Sequence, residues 1–285
     1  MNLQPAQLHE APALKSTSLS PAASHIVSRF GHRRVITCSS KQDLKGQTVV
    51  VVGLGVSGRS AAKLALTRGA SVIAVDKNEN LIPLEHDSTF EKHGYLKTIL
   101  GHCEREVLEN ADRVVVSPGV PIQNYGLSLL LQSGQRVMSE LDFAAEVLPK
   151  SMKILAVTGT NGKSTVTTFA GQRLKVFLFV AVPSFPLILL TITIMLMVYF
   201  QVAVVEVSSY QMEMPNKYFY PSVAVVLNLT PDHLERHETM MNYAAAKCRV
   251  FSHMNYSKLA ILPIGMLDQV DYMHFILLLL RRNLF

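Results

Sequence analysis

Apolar positions along this chain fall into short unbroken runs that stop at glycine or a polar residue, separated by stretches in which apolar residues return at helical spacing. Residues 48–52 form one such run, the text of a strand buried on both faces. Gly53, Gly55 and Gly58 follow as Gly-x-Gly-x-x-Gly, and Ala62, Ala65 and Leu66 then mark one face of a helix. A second strand over 71–75 ends in Asp76, and a third, over 114–116, stops at Ser117-Pro118-Gly119. Helical text covers 124–133 and 139–147. Beyond Leu148-Pro149-Lys150 the alternation starts again, with strands over 152–157, 201–211 and 222–229, a helix over 242–250 and a short strand over 259–263. Repeated strand–helix alternation predicts an α/β fold with parallel sheets, divided into a domain at 42–150 and another at 151–263.

Three stretches stand apart from this pattern. Residues 1–41 hold seven serines and five Lys/Arg against one acid, Glu10, the composition of an organelle transit peptide. A disordered tail without an address is the other reading. Residues 176–200 carry no charge at all, so length and composition allow a membrane span. Pro183 and Pro186 lie inside it, and a crossing there would put two halves of one nucleotide site on opposite sides of a bilayer. A misread stretch of gene such as a retained intron is the favoured reading. The tail at 264–285 ends in a run of leucines too short to span a membrane.

Charge narrows the function classes. The net charge is +6, of which the leader, with five basic residues against one acidic, accounts for +4. The body is nearly balanced and gives no footprint for nucleic acid. Cys38, Cys103 and Cys248 are widely spaced with no C-x-x-C pair, so neither a zinc site nor a disulfide framework is indicated, and a reducing compartment fits.

The densest chemistry lies at Gly159-Thr160-Asn161-Gly162-Lys163-Ser164-Thr165, directly after an apolar strand. Glycines let backbone N–H groups approach phosphate oxygens, and the helix that follows offers unpaired N–H groups and the positive end of its dipole. Lys163 would neutralise phosphate charge and the Ser164 hydroxyl would ligate Mg²⁺. Val157 stands where the general phosphate loop has its first glycine, which leaves a shorter Gly-x-x-Gly-Lys-Ser. An ordinary strand–turn–helix and a loop that only binds nucleotide remain open. Asp76 is placed to accept from a sugar hydroxyl, and Ser117-Pro118-Gly119 is either a ligand rest at a strand end or a plain turn. Glu206, inside an apolar strand, must be paired or bind a cation unless it faces water from an edge. His233 is a metal or phosphate ligand or a solvated loop histidine, and Lys247 by itself reads as a surface lysine.

Six motifs in order, Gly53-Leu54-Gly55-Val56-Ser57-Gly58, Ser117-Pro118-Gly119, the Gly159–Ser164 loop, Glu206-Val207-Ser208-Ser209-Tyr210-Gln211, Asp232-His233 and Ala245-Ala246-Lys247, resemble those of the Mur ligases of peptidoglycan synthesis, and most the D-glutamate-adding branch. The resemblance covers about 46–173 and 201–265. It implies a Rossmann-like UDP-sugar-binding domain, then a P-loop-type central domain that binds ATP and Mg²⁺. Gly55, Val56, Ser57, Asp76 and Ser117 to Gly119 would lie near the uridine diphosphate. Gly159 to Thr165 would hold ATP, with Lys163 on its phosphates. Ser164, Glu206 and His233 would ligate Mg²⁺, and Lys247 would be the lysine carbamylated in the family.

The implied reaction joins D-glutamate to UDP-N-acetylmuramoyl-L-alanine through an acyl phosphate, in a monomer. Where the family has a glycine-rich loop, this chain has 176–200, and the family's third domain, due after Pro263, is missing. The expectation is that the polypeptide as written is not a competent ligase. The leader implies a plastid; without it, the cytoplasm is expected. Two rivals stay open: an NAD-dependent oxidoreductase, which leaves the Lys163 loop unused, and a non-catalytic nucleotide-binding remnant.

Overall fold

The computed structural model describes residues 43–90, 94–174, 202–254 and 258–263. The leader, the uncharged stretch at 176–200, the tail at 264–285 and Cys38 lie outside the described residues. Among the described residues no helix is long and apolar enough to cross a membrane.

Five parallel strands make the first sheet: β1 (Thr48–Val52), β2 (Ser71–Asp76), β3 (Leu96–Leu100), β4 (Arg113–Val116) and β5 (Val137–Ser139), in the order β3-β2-β1-β4-β5. Side chains alternate across a strand, so the valines of β1 divide between two cores. Val49 and Val51 pack with α1 (Val56–Thr67) and α4 (Glu140–Val147). Val50 and Val52 pack on the other face with α2 (Arg105–Glu109) and α3 (Leu127–Gln132). Helices on both faces explain why β1 and β4 are apolar without alternation. β3 and β5 escape the hydrophobic pattern: the first carries Lys97 and Thr98 on an edge, and the second has only three residues.

The second sheet is also parallel, with β6 (Lys153–Thr158), β7 (Val202–Glu206), β8 (Val223–Val226) and β9 (Leu259–Ile261) ordered β7-β6-β8-β9. α5 (Lys163–Leu174) follows β6, while α6 (Leu234–His237) and α7 (Met240–Cys248) lie between β8 and β9. Phe219, Phe251 and Cys248 are among the residues filling this sheet's core. Cys103 and Cys248 are both buried free thiols.

The first turn of α4 joins the two sheets. Ser139 caps the helix by accepting from Asp142 N at 3.1 Å. Leu141 enters the core of the second sheet. The Asp142 carboxylate accepts from the backbone N–H groups of Lys217, Tyr218 and Phe219 at 3.1, 2.6 and 2.8 Å. Burial outweighs these three donors and raises its pKa. Glu140 completes the seam by accepting from Gln211 Nε2 at 2.7 Å.

Candidate functional site

In each sheet the strand order reverses beside the first strand in sequence, and ligands of open parallel sheets bind outside the carboxyl ends at such a switch point. β1 and β4 deliver Gly53 and Ser117 there. Ser117 N donates to Val52 O at 2.9 Å and its hydroxyl to Gly53 O at 2.7 Å, drawing the two turns together. Gly58 allows this approach, because a Cβ on it would overlap Gly53 O. Asp76, at the end of β2, accepts from Leu54 N at 2.6 Å and Asn78 N at 2.9 Å, so its carboxylate orders the glycine turn as well as facing the cleft.

β6 and β7 build the other wall. Gly159 and Gly162 have φ of +145° and +82°, which favour glycine, and α5 begins at Lys163. Asn228 and Thr230, beyond β8, grip the loop: Thr160 N donates to Asn228 O at 3.0 Å, Asn161 N to Asn228 Oδ1 at 2.9 Å, and Thr230 N to Thr160 Oγ1 at 3.0 Å. Tyr243 of α7 donates its hydroxyl to Thr160 Oγ1 at 3.1 Å. Lys163 Nζ folds back onto the carbonyls of Gly159 and Thr160 at 3.1 and 2.9 Å.

Glu206 is paired in register with Val157 at the end of β7. That strand is an edge, yet Glu206 is only 8% exposed and its Oε2 has no hydrogen-bond partner. A solvated edge acid is therefore excluded, and the orphaned oxygen is what a cation would use. Lys247 corrects its surface reading more sharply. It is 2% exposed, with Nζ donating to Gly159 O at 2.8 Å and lying 4.7 Å from the Tyr243 ring centroid. Burial, reinforced by the charge of Lys163, pushes its pKa down to about 7. Its spacing in sequence carries no sign of this, because what buries it is the distant loop at Gly159.

His233 takes a left-handed conformation, φ 54°, at the start of α6 and keeps its side chain 44% exposed. Its Nδ1 lies 3.5 Å from Glu235 Oε1 and its Nε2 3.5 Å from Asp232 Oδ2. A strained non-glycine residue at a cleft edge is a common functional signature.

One cleft of about 760 Å³ gathers Gly55, Val56, Ser57, Asp76, Ser117, Pro118 and Gly119 from the first sheet with Lys163, Glu206 and His233 from the second. Lys77, Asn124, Tyr125, Ser208, Tyr210 and Gln211 also line it, although sequence reasoning singled none of them out as site residues. The last three lie inside the Glu206–Gln211 motif, which was the available signal. Burial pushes the Tyr125 hydroxyl up to about 12, with the Asp76 charge adding to the effect. Gly159, Thr160, Asn161 and Gly162 are outside the lining, and Ser164 and Thr165 stand exposed on the first turn of α5. Lys247 reaches the loop from behind.

Among the described residues no three His, Cys, Asp or Glu side chains converge as a metal-binding group. Mg²⁺ does not require a protein cage: one carboxylate with phosphate oxygens and waters suffices. The orphaned Glu206 oxygen beside a cationic phosphate-type loop fits that arrangement.

Comparison with known proteins agrees with this architecture. The Mur ligase MurD-like N-terminal domain matches residues 47–139, and the Mur ligase middle domain matches 157–272. The UDP-N-acetylmuramoylalanine--D-glutamate ligase of Caldicellulosiruptor bescii is 39% identical over 224 residues, covering 75% of this chain and 46% of the relative. Its counterpart in Caldicellulosiruptor saccharolyticus is 38% identical over 231 residues, covering 77% and 48%. The chain thus spans about half the length of the curated relatives it matches. Among solved structures, a UDP-N-acetylmuramate:L-alanyl-gamma-D-glutamyl-meso-diaminopimelate ligase from Neisseria meningitides shares the fold, with TM-score 0.53 at 16% identity over 79% of this chain and 74% of that one. A MurD-like N-terminal domain followed by a middle domain, each carrying one wall of the cleft, means that the chain belongs to the Mur ligase family.

Proposed function

We propose that this chain carries the UDP-sugar and ATP half-sites of an ATP-dependent amide-bond ligase that joins D-glutamate to UDP-N-acetylmuramoyl-L-alanine in peptidoglycan precursor synthesis, as the names of its relatives indicate. The observation that carries the reading is the shared cleft: one wall holds Val56, Ser57, Asp76 and the 117–119 turn, and the other holds Lys163, Glu206 and His233. An NAD-dependent oxidoreductase would use only the first wall.

The 117–119 turn and the opening of α1 would take the uridine diphosphate, where a helix start favours negative charge. Backbone N–H groups of the 159–165 loop and Lys163 would take the ATP phosphates, with Ser164, Glu206 and His233 available to Mg²⁺. ATP bound there would supply the phosphoryl group: its transfer to the L-alanyl carboxylate releases ADP and leaves an acyl phosphate, which the amine of D-glutamate attacks to form the amide with loss of phosphate and a proton. Lys163 would neutralise charge on the transferring group and Glu206 would hold the cation. Lys247, neutral in part at pH 7, has the free amine needed to attack CO₂ and lose a proton to form a carbamate. Residues 1–41 are proposed as a plastid leader, which a fluorescent fusion of residues 1–45 would test by leaving the cytosol.

Calorimetric titration tests the two half-sites separately. UDP and Mg²⁺–ADP should each bind, and Lys163→Met should abolish ADP binding while leaving UDP affinity intact. Absence of both, or binding of NADH in their place, overturns the reading. ADP release that needs both UDP-N-acetylmuramoyl-L-alanine and D-glutamate reads the whole reaction.

A further inference from the structure

Arg236 has no part in the chemistry above, yet its guanidinium is shared between both walls of the cleft. Its side chain is only 18% exposed. Nε donates to both Glu213 oxygens at 3.1 and 3.0 Å, and Nη2 reaches Glu213 Oε2 at 2.6 Å. On its far side Nη1 donates to Pro118 O at 2.9 Å and Nη2 to Val120 O at 3.4 Å. The guanidinium also lies 4.2 Å from the ring centroid of Tyr210. Among the described residues no other donor reaches those two carbonyls.

The contact has the form of a strut. Glu213 and Tyr210 belong to the loop after β7, whereas Pro118 and Val120 belong to the turn after β4. A planar fork with fixed donor directions can be gripped bidentately at one end and reach two carbonyls at the other, which an ammonium cannot do. His233 caps the same short helix, with Arg236 N donating to His233 O at 3.1 Å, so the strut also ties that histidine to the turn. Exposed ion pairs contribute little because solvent screens them, but this one is mostly covered and its donors are engaged.

We infer that Arg236 is a positioning residue that holds the 117–120 turn against the loop carrying Tyr210 and Glu213, and that the cleft binds a nucleoside diphosphate at the turn more tightly while this strut is in place. The inference rests on the proposed placement of the uridine diphosphate at that turn.

The test compares the full chain with Arg236→Met, Arg236→Lys and Glu213→Gln. Hydrogen exchange is measured at the Gly119 and Val120 amides, and calorimetry measures UDP and Mg²⁺–ADP binding separately. Arg236→Met should speed exchange at the turn and weaken UDP binding about tenfold, the scale of one lost charge-assisted hydrogen bond, with ADP affinity unchanged. Arg236→Lys, which keeps charge without the fork, should recover only part of the affinity, and Glu213→Gln should fall between. Unchanged exchange, unchanged UDP affinity, or equal loss of UDP and ADP affinity each overturns the inference. If Arg236→Met does not fold, the other two variants decide by the same criteria. If the unaltered chain binds no UDP, the diphosphate placement fails, and the strut is then judged by exchange at the turn alone.

Discussion

Glu140 offers a quantitative test of the seam between the two sheets. It is buried at the start of α4, Oε1 accepts from Gln211 Nε2 at 2.7 Å, and Oε2 has no partner. Burial raises its pKa from the ordinary 4.5 to about 7, against the smaller opposing effect of Gln211. Between those values the unfolded chain has released the proton while the folded chain keeps it. Stability contributed by this group is therefore complete below pH 4.5 and is lost as pH rises through about 7. At about 1.4 kcal/mol per pKa unit the span amounts to roughly 3 kcal/mol.

Glu140→Gln cannot ionise but still presents an oxygen to Gln211. Its unpartnered amide adds a cost of about 1–3 kcal/mol that does not vary with pH, so the cost cancels in the pH dependence. The chain has no tryptophan, so urea unfolding is followed by circular dichroism over a series from acid to mildly alkaline pH. The stability of the variant relative to the parent should climb by roughly 3 kcal/mol across the series and then level off. A difference that stays flat within about 0.5 kcal/mol would refute the reasoning and assign Glu140 an ordinary carboxylate environment.

Gly159→Ala places a Cβ at φ +145°, 3.0 Å from Leu227 Cβ and 3.2 Å from Leu227 N and Asn228 N. Urea unfolding should show a loss of about 2 kcal/mol, and Mg²⁺–ADP binding should fall with it. Lys247 should react with ¹³C-bicarbonate to give a carbamate resonance that is absent in Lys247→Leu. Because the unfolded chain holds this lysine's proton up to pH 10.5 and the folded chain only to about 7, the parent should gain stability relative to Lys247→Leu as pH rises between those values.

Much of the fold was legible because it depends on local rules. A run of four valines in β1 needs cover on both faces, and Gly53, Gly159 and Gly162 stand where the backbone takes positive φ. The order of the other seven strands and of the glycine turns followed directly, whereas the five-residue helix α2 did not. β3 and β5 were illegible, one because its edge position leaves polar residues in the pattern and the other because three residues carry no periodicity.

At the site the division is equally physical. Sequence by itself determined which residue types stand at strand ends: the glycines, Lys163, the 117–119 turn, and Glu206 in an apolar run. Tertiary structure alone decided which of them share a cleft. It also decided that Lys247 is a buried amine, that Glu206 has a free oxygen, and that Arg236 and Glu140 bridge segments 118 and 71 residues apart. Hydrophobic period and backbone freedom are written within a few consecutive residues. Desolvation and hydrogen-bond partnership are set by whatever packs against a side chain from elsewhere, and they exist only once the two sheets have come together.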